Sequence, residues 1–334
     1  MAAMKRGRNG DAMADAPLSL IADIGGTNTR VALARGPRVM AETTRRFRNA
    51  DYPALGPVLR DFLATSGSPE IDGACVAAAG PVRDGVATLT NLAWTVDGAE
   101  LRHATGALRV AVLNDLQAQG HALGHVAPDR LRVLIPGPRP RREGPMLVIG
   151  VGTGFNAAPV HDTPALRLVA ASECGHAGMP VRSDRDLALA RFVEAAHGFA
   201  GVEDVLSGRG FERLYAFTAA EAGREDHKSS REILAAAGAP GPAQEAVRLF
   251  ARLLGTEAGN LALIHLPFGG VYLCGGMAQA VAPHLLAMGF AEAFRDKGRF
   301  SGFMDDFPVA VVEDDYAALT GCAAYLSTVA ATQP

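Results

Sequence analysis

The chain has 334 residues, 49% of them hydrophobic, more than one core usually holds (about 250–300 residues), which predicts two domains. A formal net charge of only −3 excludes a nucleic-acid field and a membrane-surface field alike, and leaves a small neutral or anionic ligand held by local groups. The four cysteines, Cys75, Cys174, Cys274 and Cys322, form no CxxC pair, which argues for buried, reduced thiols and against a zinc site or a disulfide framework.

Residues 1–17 carry Lys5, Arg6 and Arg8 with no apolar stretch behind them, so they read as a disordered extension and not as a signal peptide. No apolar run reaches the roughly 18 residues of a membrane span, and a cytoplasmic location is expected. Leu18–Ile24 is an apolar run that ends in Gly25-Gly26, and residues 29–34 resume it, giving a strand, a tight turn and a second strand. Residues 52–65 place Leu55, Val58, Leu59 and Phe62 at helical spacing. Gly73–Ala78 is a buried strand stopped by Gly80-Pro81, and residues 108–113 are another, ending at Asn114-Asp115 with a helix from Leu116.

Residues 133–142, rich in Pro and Arg, read as a loop, after which 145–151 form a strand that enters a second glycine turn. Residues 192–196, 211–219 and 243–264 are helical by spacing; 270–273 and Val309–Val312 are strands, and 316–330 is a closing helix. Strands and helices alternate, so the fold class is α/β. Residues 20–33 and 147–160 echo one another as strand–glycine turn–strand, which points to a duplicated α/β fold with two turns facing across a cleft.

The first turn holds Asp23, Gly25, Gly26, Thr27 and Asn28. Successive glycines let backbone N–H groups converge on an anion, the Thr27 hydroxyl adds a donor, and the Asp23 carboxylate offers hard oxygen to Mg2+ directly or through water. Neither the lysine P-loop nor G-x-G-x-x-G is present, and an ordinary hairpin turn is the plain alternative. Gly152, Thr153 and Gly154 repeat the pattern. Two such turns suit a terminal phosphoryl group, whose transfer rests on positioning and electrostatics.

Asn114 and Asp115 stand at the carboxyl end of a strand, where open α/β sheets bind ligands. From position alone Asp115 reads equally as a helix cap and as a general base for a substrate hydroxyl. Glu173, His176 and Glu203 suit a polyol, since carboxylates accept and imidazole donates or accepts. Taken singly, Glu203 also reads as a solvated carboxylate and His176 as a local hydrogen bonder. No Cys or His partner stands at ligand spacing, which argues against zinc.

Taken in order, these motifs resemble the bacterial glucokinase family, from about residue 18 to residue 326. The resemblance is carried by residues 22–28, Ala79-Gly80-Pro81-Val82, Leu89-Thr90-Asn91 with Trp94, Leu113-Asn114-Asp115 and Gly152-Thr153-Gly154. It continues through Glu173 with Gly175-His176, Glu203 with Val205-Leu206-Ser207-Gly208, Gly275-Gly276 and Asp296-Lys297-Gly298-Arg299-Phe300. The family has the actin, hexokinase and heat-shock-ATPase fold. That implies two actin-like (ribonuclease-H-like) α/β lobes with an ATP and sugar cleft between them, a small domain of residues 18–114 plus about 317–334, and a large one of 115–316.

The resemblance implies ATP-dependent phosphorylation of glucose at its 6-hydroxyl, with Asp115 as the base and Asn114, Glu173, His176 and Glu203 on the other hydroxyls. The two glycine turns would hold the ATP phosphates, Gly275 and Gly276 would lie beside the adenosine, Mg2+ would sit near Asp23, and the enzyme would be a homodimer. A kinase of another hexose or amino sugar is the alternative; a non-catalytic sugar sensor is disfavoured because Asp115 is in place. Two departures stand out: Cys174 replaces the usual glycine before Gly175, and Asn156 replaces the last glycine of the second turn. Asn tolerates left-handed backbone, so the turn is expected to survive, with nucleotide affinity and sugar strictness the properties affected.

Overall fold

Strands with no polar alternation need cover on both faces, and the first sheet has it. In the computed structural model of the protein, residues 16–89, 92–138 and 144–332 are described. Residues 1–15 of the expected extension, Thr90-Asn91 and residues 139–143 of the expected loop lie outside them. The chain divides into two compact units: Met1–Ala127, Thr163–Leu168 and Asp315–Pro334 in the first, Pro128–Asp162 and Val169–Asp314 in the second.

In the first unit β1 (Leu18–Ile24), β2 (Asn28–Arg35) and β3 (Arg38–Arg48) form an antiparallel meander. β4 (Gly73–Ala78) and, further on, β8 (Arg109–Asn114) extend it in parallel on the other side of β1, giving the order β3-β2-β1-β4-β8. Along β1 and β4 the side chains alternate faces. Leu20, Ala22, Val76 and Ala78 pack under α1 (Leu55–Thr65) and α2 (Gly98–Thr105), which contribute Leu55, Leu59, Phe62 and Leu101. Ile21, Cys75 and Ala77 pack on the opposite face with Ala118 of α3 (Asp115–Ala122) and Leu319 and Cys322 of the C-terminal helix (Ala317–Thr332). Three short strands, β5 (Val82–Arg83), β6 (Val86–Thr88) and β7 (Thr95–Val96), form a separate small sheet.

α3 is held tightly. At Gly321 of the C-terminal helix a Cβ would fall inside the Ala118 carbonyl, so only glycine allows this approach. At the other end of α3 the Arg167 guanidinium donates to the carbonyls of Gly120 (3.2 Å), His121 (3.3 Å) and Leu123, at and just past the last turn of the helix. These two contacts fit a first unit that runs past Asn114 to Ala127 and takes in Thr163–Leu168, where the sequence reading places its breaks after Asn114 and near residue 317.

The second unit repeats the plan. β10 (Met146–Val151) and β11 (Phe155–Asp162) form a hairpin; β13 (Gly270–Cys274) and β14 (Val309–Val312) continue from β10 in parallel. β9 (Leu131–Ile135) adds an antiparallel edge to β14, so residues expected in a loop are partly strand. The order β11-β10-β13-β14 matches β2-β1-β4-β8 in sequence and direction. The short β12 (Arg167–Val169) lies where the chain passes from one unit to the other.

Around this sheet stand α4 (Asp184–His197), α5 (Gly208–Glu221), α6 (Ser230–Ala236), α7 (Pro242–His265), α8 (Gly276–Leu285) and α9 (Phe290–Arg295). α4 begins eight residues before the predicted 192–196 stretch, because Ser183 caps it by accepting the Asp186 N–H at 3.2 Å. α7 and α9 cross closely at Gly255 and Gly259, where a Cβ would meet the Phe290 and Phe294 carbonyls. Just beyond α9, Lys297 donates to the Thr256 carbonyl (2.9 Å) and to Asn260 Oδ1 (2.7 Å), tying the 296–300 motif to α7.

Candidate active site

The strand ends of the first unit are level. Ile24 pairs with Ala78 and Ala78 with Asn114, so Gly25, Ala79 and Asp115 each stand one residue beyond the same row. The turn after β1 closes with the Gly25 N–H donating to the Asn28 carbonyl at 3.0 Å. The buried Asn49 staples it: Nδ2 donates to the Gly25 carbonyl (2.8 Å), Oδ1 accepts the Thr29 hydroxyl (2.8 Å), and its own N–H donates to the Thr27 carbonyl (2.9 Å). Gly26 and Thr27 are left exposed at the tip.

At the end of β8 the cap is Asn114, not Asp115. Asn114 Oδ1 accepts the Leu116 N–H (2.9 Å), and Gln117 Oε1 returns the bond to the Asn114 N–H (3.2 Å). Asn114 Nδ2 also donates to the Gly80 carbonyl at 2.8 Å, which ties the Gly80-Pro81 motif to this corner. Asp115 is therefore the first residue of α3 and is exposed; one of its oxygens accepts the Leu116 N–H at 2.8 Å.

Burial pushes the Asp23 carboxyl up to about 6; Arg30, 3.6 Å away, pulls it down, and the charge of Asp115 raises it. The two carboxylates thus sense each other within one unit. Among the described residues no three His, Cys, Asp or Glu side chains gather as a metal site. A half-buried carboxylate that stays raised with Arg30 beside it has the hard oxygens that would suit a Mg2+ ion.

In the second unit the turn after β10 closes through the Gly152 N–H and the Gly154 carbonyl (2.9 Å), and Gly208 of the Leu206-Ser207-Gly208 stretch donates to the Gly152 carbonyl (2.8 Å). Thr153 is exposed at its tip. Glu203 reaches under the turn: Oε2 accepts the Phe155 N–H at 2.9 Å, and a Cβ at Gly154 would come within 2.5 Å of that oxygen. The Glu203 N–H donates to the Gly175 carbonyl (2.8 Å), and the His176 N–H to the Glu173 carbonyl (3.1 Å). Glu173 and His176 are both exposed. Gly275, at φ 97°, packs on the Val151 carbonyl and opens α8 beside the turn, so Gly276 begins a helix whose N–H groups favour an anion.

The expected site residues therefore form two sets. Asp23, Gly25, Gly26, Thr27, Asn28, Asn114 and Asp115 share the first unit; Gly152, Thr153, Gly154, Glu173, His176, Glu203, Gly275 and Gly276 share the second. A cavity of about 590 Å3 elsewhere in the second unit contains none of them, and its arginines are paired internally, Arg182 with Asp296 (3.1 Å) and Arg252 with the buried Asp186. Asn49 has a structural role that nothing in its sequence surroundings signals, whereas Gln117, three residues after Asn114, completes a capping-box pattern that the chain does show.

The profile described as Glucokinase matches residues 20–329. The chain belongs to the glucokinase family. A glucokinase family relative from Chromobacterium violaceum is 33% identical over 311 residues, covering 92% of this chain and 89% of its own length. A glucokinase structure from an Antarctic psychrotroph superimposes with a TM-score of 0.82 at 32% identity, over 92% of this chain and 98% of that one. A Balamuthia mandrillaris glucokinase solved in complex with glucose, 21% identical, shares the fold with a TM-score of 0.73 over 94% of both chains. Asn156 is a strand residue opposite Gly150, so the second turn needs no left-handed residue there.

Proposed function

We propose that this glucokinase family enzyme transfers the γ-phosphoryl group of ATP to the 6-hydroxyl of glucose, with Asp115 as general base. The observation that carries the reading is the position of Asp115: exposed, at a helix N-terminus beyond a level row of strand ends, and close enough to Asp23 to raise its carboxyl. The Asp115 carboxylate takes the proton of the sugar hydroxyl as that oxygen forms its bond to the γ-phosphorus. The bond from phosphorus to the bridging oxygen breaks, and ADP leaves with that electron pair.

The N–H groups of the Gly25–Thr27 turn and of the Gly152–Gly154 turn hold the phosphates, and Gly275-Gly276 lies beside the adenosine. Asp23 would hold Mg2+, which when bound would supply charge neutralisation at the phosphate oxygens. Asn114, Glu173, His176 and Glu203 take the remaining sugar hydroxyls. A cytoplasmic homodimer is the setting that the family resemblance supports, and sedimentation velocity tests the dimer.

The test is a coupled ADP-release assay over glucose and a panel of other hexoses and amino sugars, with the parent and Asp115→Ala. Glucose is expected to be turned over, and the variant to lose roughly 10^3-fold in kcat, within the range for a general base, while still binding glucose. Turnover of another sugar with glucose ignored would overturn the substrate assignment; an active variant would overturn the base.

A further inference from the structure

The two departures from the family pattern are 18 residues apart in the chain and touch in the fold. Asn156 Oδ1 accepts the Cys174 N–H at 3.2 Å and lies 3.4 Å from the Cys174 thiol. The Ser172 hydroxyl stands 2.9 Å from the same oxygen and 2.6 Å from the Ala157 carbonyl, donating between them. On the other side of the amide, Nδ2 donates to the Ser172 carbonyl and faces Glu173 Oε2 at 3.4 Å. Only this amide orientation sets donors against acceptors on both sides. One side chain thus holds three successive residues, Ser172, Glu173 and Cys174.

The Glu173 carboxylate does not cap the short 3-10 turn that it begins, Cys174–His176, so nothing in that turn fixes its direction. The neighbouring residue of β11 does the equivalent service for the other carboxylate, since the Phe155 N–H holds Glu203. Consecutive residues of one strand therefore aim both acids. A glycine at 156 has no amide to offer, and a glycine at 174 has no thiol to fill the space beside it.

We propose that Asn156 is a positioning residue for Glu173, and that Asn156 and Cys174 act as one unit that replaces a glycine pair and tunes sugar recognition. The proposal rests on the reading of Glu173 as a sugar-binding carboxylate. Burial pushes the Cys174 thiol up, so it stays a neutral donor beside Oδ1.

Steady-state kinetics of the full chain, varying glucose and ATP separately, test it. Asn156→Gly is expected to raise KM for glucose about tenfold, the effect of losing a hydrogen bond to a charged group, with KM for ATP within about twofold. Asn156→Asp, which sets a carboxylate against Glu173, should exceed Asn156→Gly; it also carries the test should the glycine variant fold poorly. Cys174→Gly should raise KM for glucose by about threefold, and the double glycine variant by less than the product of the single effects, because the contact is already lost.

Glu173→Gln tests the underlying reading by itself. If it leaves KM for glucose unchanged, Glu173 does not bind sugar. If it raises KM while the Asn156 variants do not, or if they shift both KM values equally, or if the double variant shows the full product, the positioning role is wrong.

Discussion

In the first unit the β1–β2 turn is built beside an acid: Asp23 is half buried, paired loosely to Arg30, and the loop above it is stapled by the side chain of Asn49. In the second unit the β10–β11 turn has no charged residue between its strands; it is closed by backbone bonds, and Gly154 leaves the room into which Glu203 reaches. The strand frames correspond, strand for strand. The matching strand order fits a duplicated scaffold, and on the proposed reading the chemistry is divided between the copies: cation and base in one, sugar carboxylates in the other.

The comparison breaks most sharply at Asp23. Its carboxyl titrates near 6 in the folded chain against 3.8 as a free group, so the native state holds the proton more tightly than the unfolded one. Stability is therefore lost as pH rises from about 4 to about 6 and stays lower above that, by up to roughly 3 kcal/mol for a shift of about two pK units. Asp23→Asn removes this cost. It should be more stable than the parent near about pH 7.5, with the gain shrinking toward zero near about pH 4, while Mg2+-dependent activity collapses. Urea unfolding at both pH values, with an activity assay, decides it; an equal difference at both would show that the acid is not strained.

The staple comes next. Asn49→Ala leaves the Gly25 carbonyl and the Thr29 hydroxyl without their partner in a buried place, at a cost of about 2 kcal/mol. KM for ATP should rise about tenfold with KM for glucose little changed, since only the first turn is loosened. If both constants move together, the turn does not act on the nucleotide alone.

Gly154→Ala is the mildest change and should show the opposite split. The new Cβ pushes on Glu203 Oε2, the free end of a flexible side chain, so the fold survives while the Phe155 N–H loses its acceptor. A rise of about fivefold in KM for glucose with a thermal midpoint nearly unchanged is expected, as for one neutral donor bonded to a charged acceptor. Thermal melts alongside the kinetics separate this from a general loss of packing.

Much of the frame is legible in the chain. β1, β4 and β10 are continuous apolar runs because helices cover both faces, and both turns show as glycines beside polar residues. β9 is not, since Arg132 and Val133 are both exposed on an edge strand that runs into proline-rich chain. The start of α4 is hidden by Asp184, Arg185 and Asp186, whose middle arginine bridges Glu221 and Glu245 while Asp186 turns inward to Arg252. Asp115 and Asn114 could be named from position, but both offer an oxygen to the Leu116 N–H, and it is the reciprocal bond between the Asn114 N–H and Gln117 that makes Asn114 the cap. Asn49 escaped because the partners of its side chain lie 20 and 24 residues away, and Asn156 and Cys174 appear in sequence as two unrelated exceptions.

The contact between Gly321 and Ala118 sets an order of events during synthesis. The helix that carries Asp115 rests on the sheet alone until the polypeptide returns, some two hundred residues later, to supply the groove at Gly321. On the proposed reading, a product cut short of that groove would carry the glycine turn of the first unit and the carboxylates of the second, and yet lack a firmly seated Asp115.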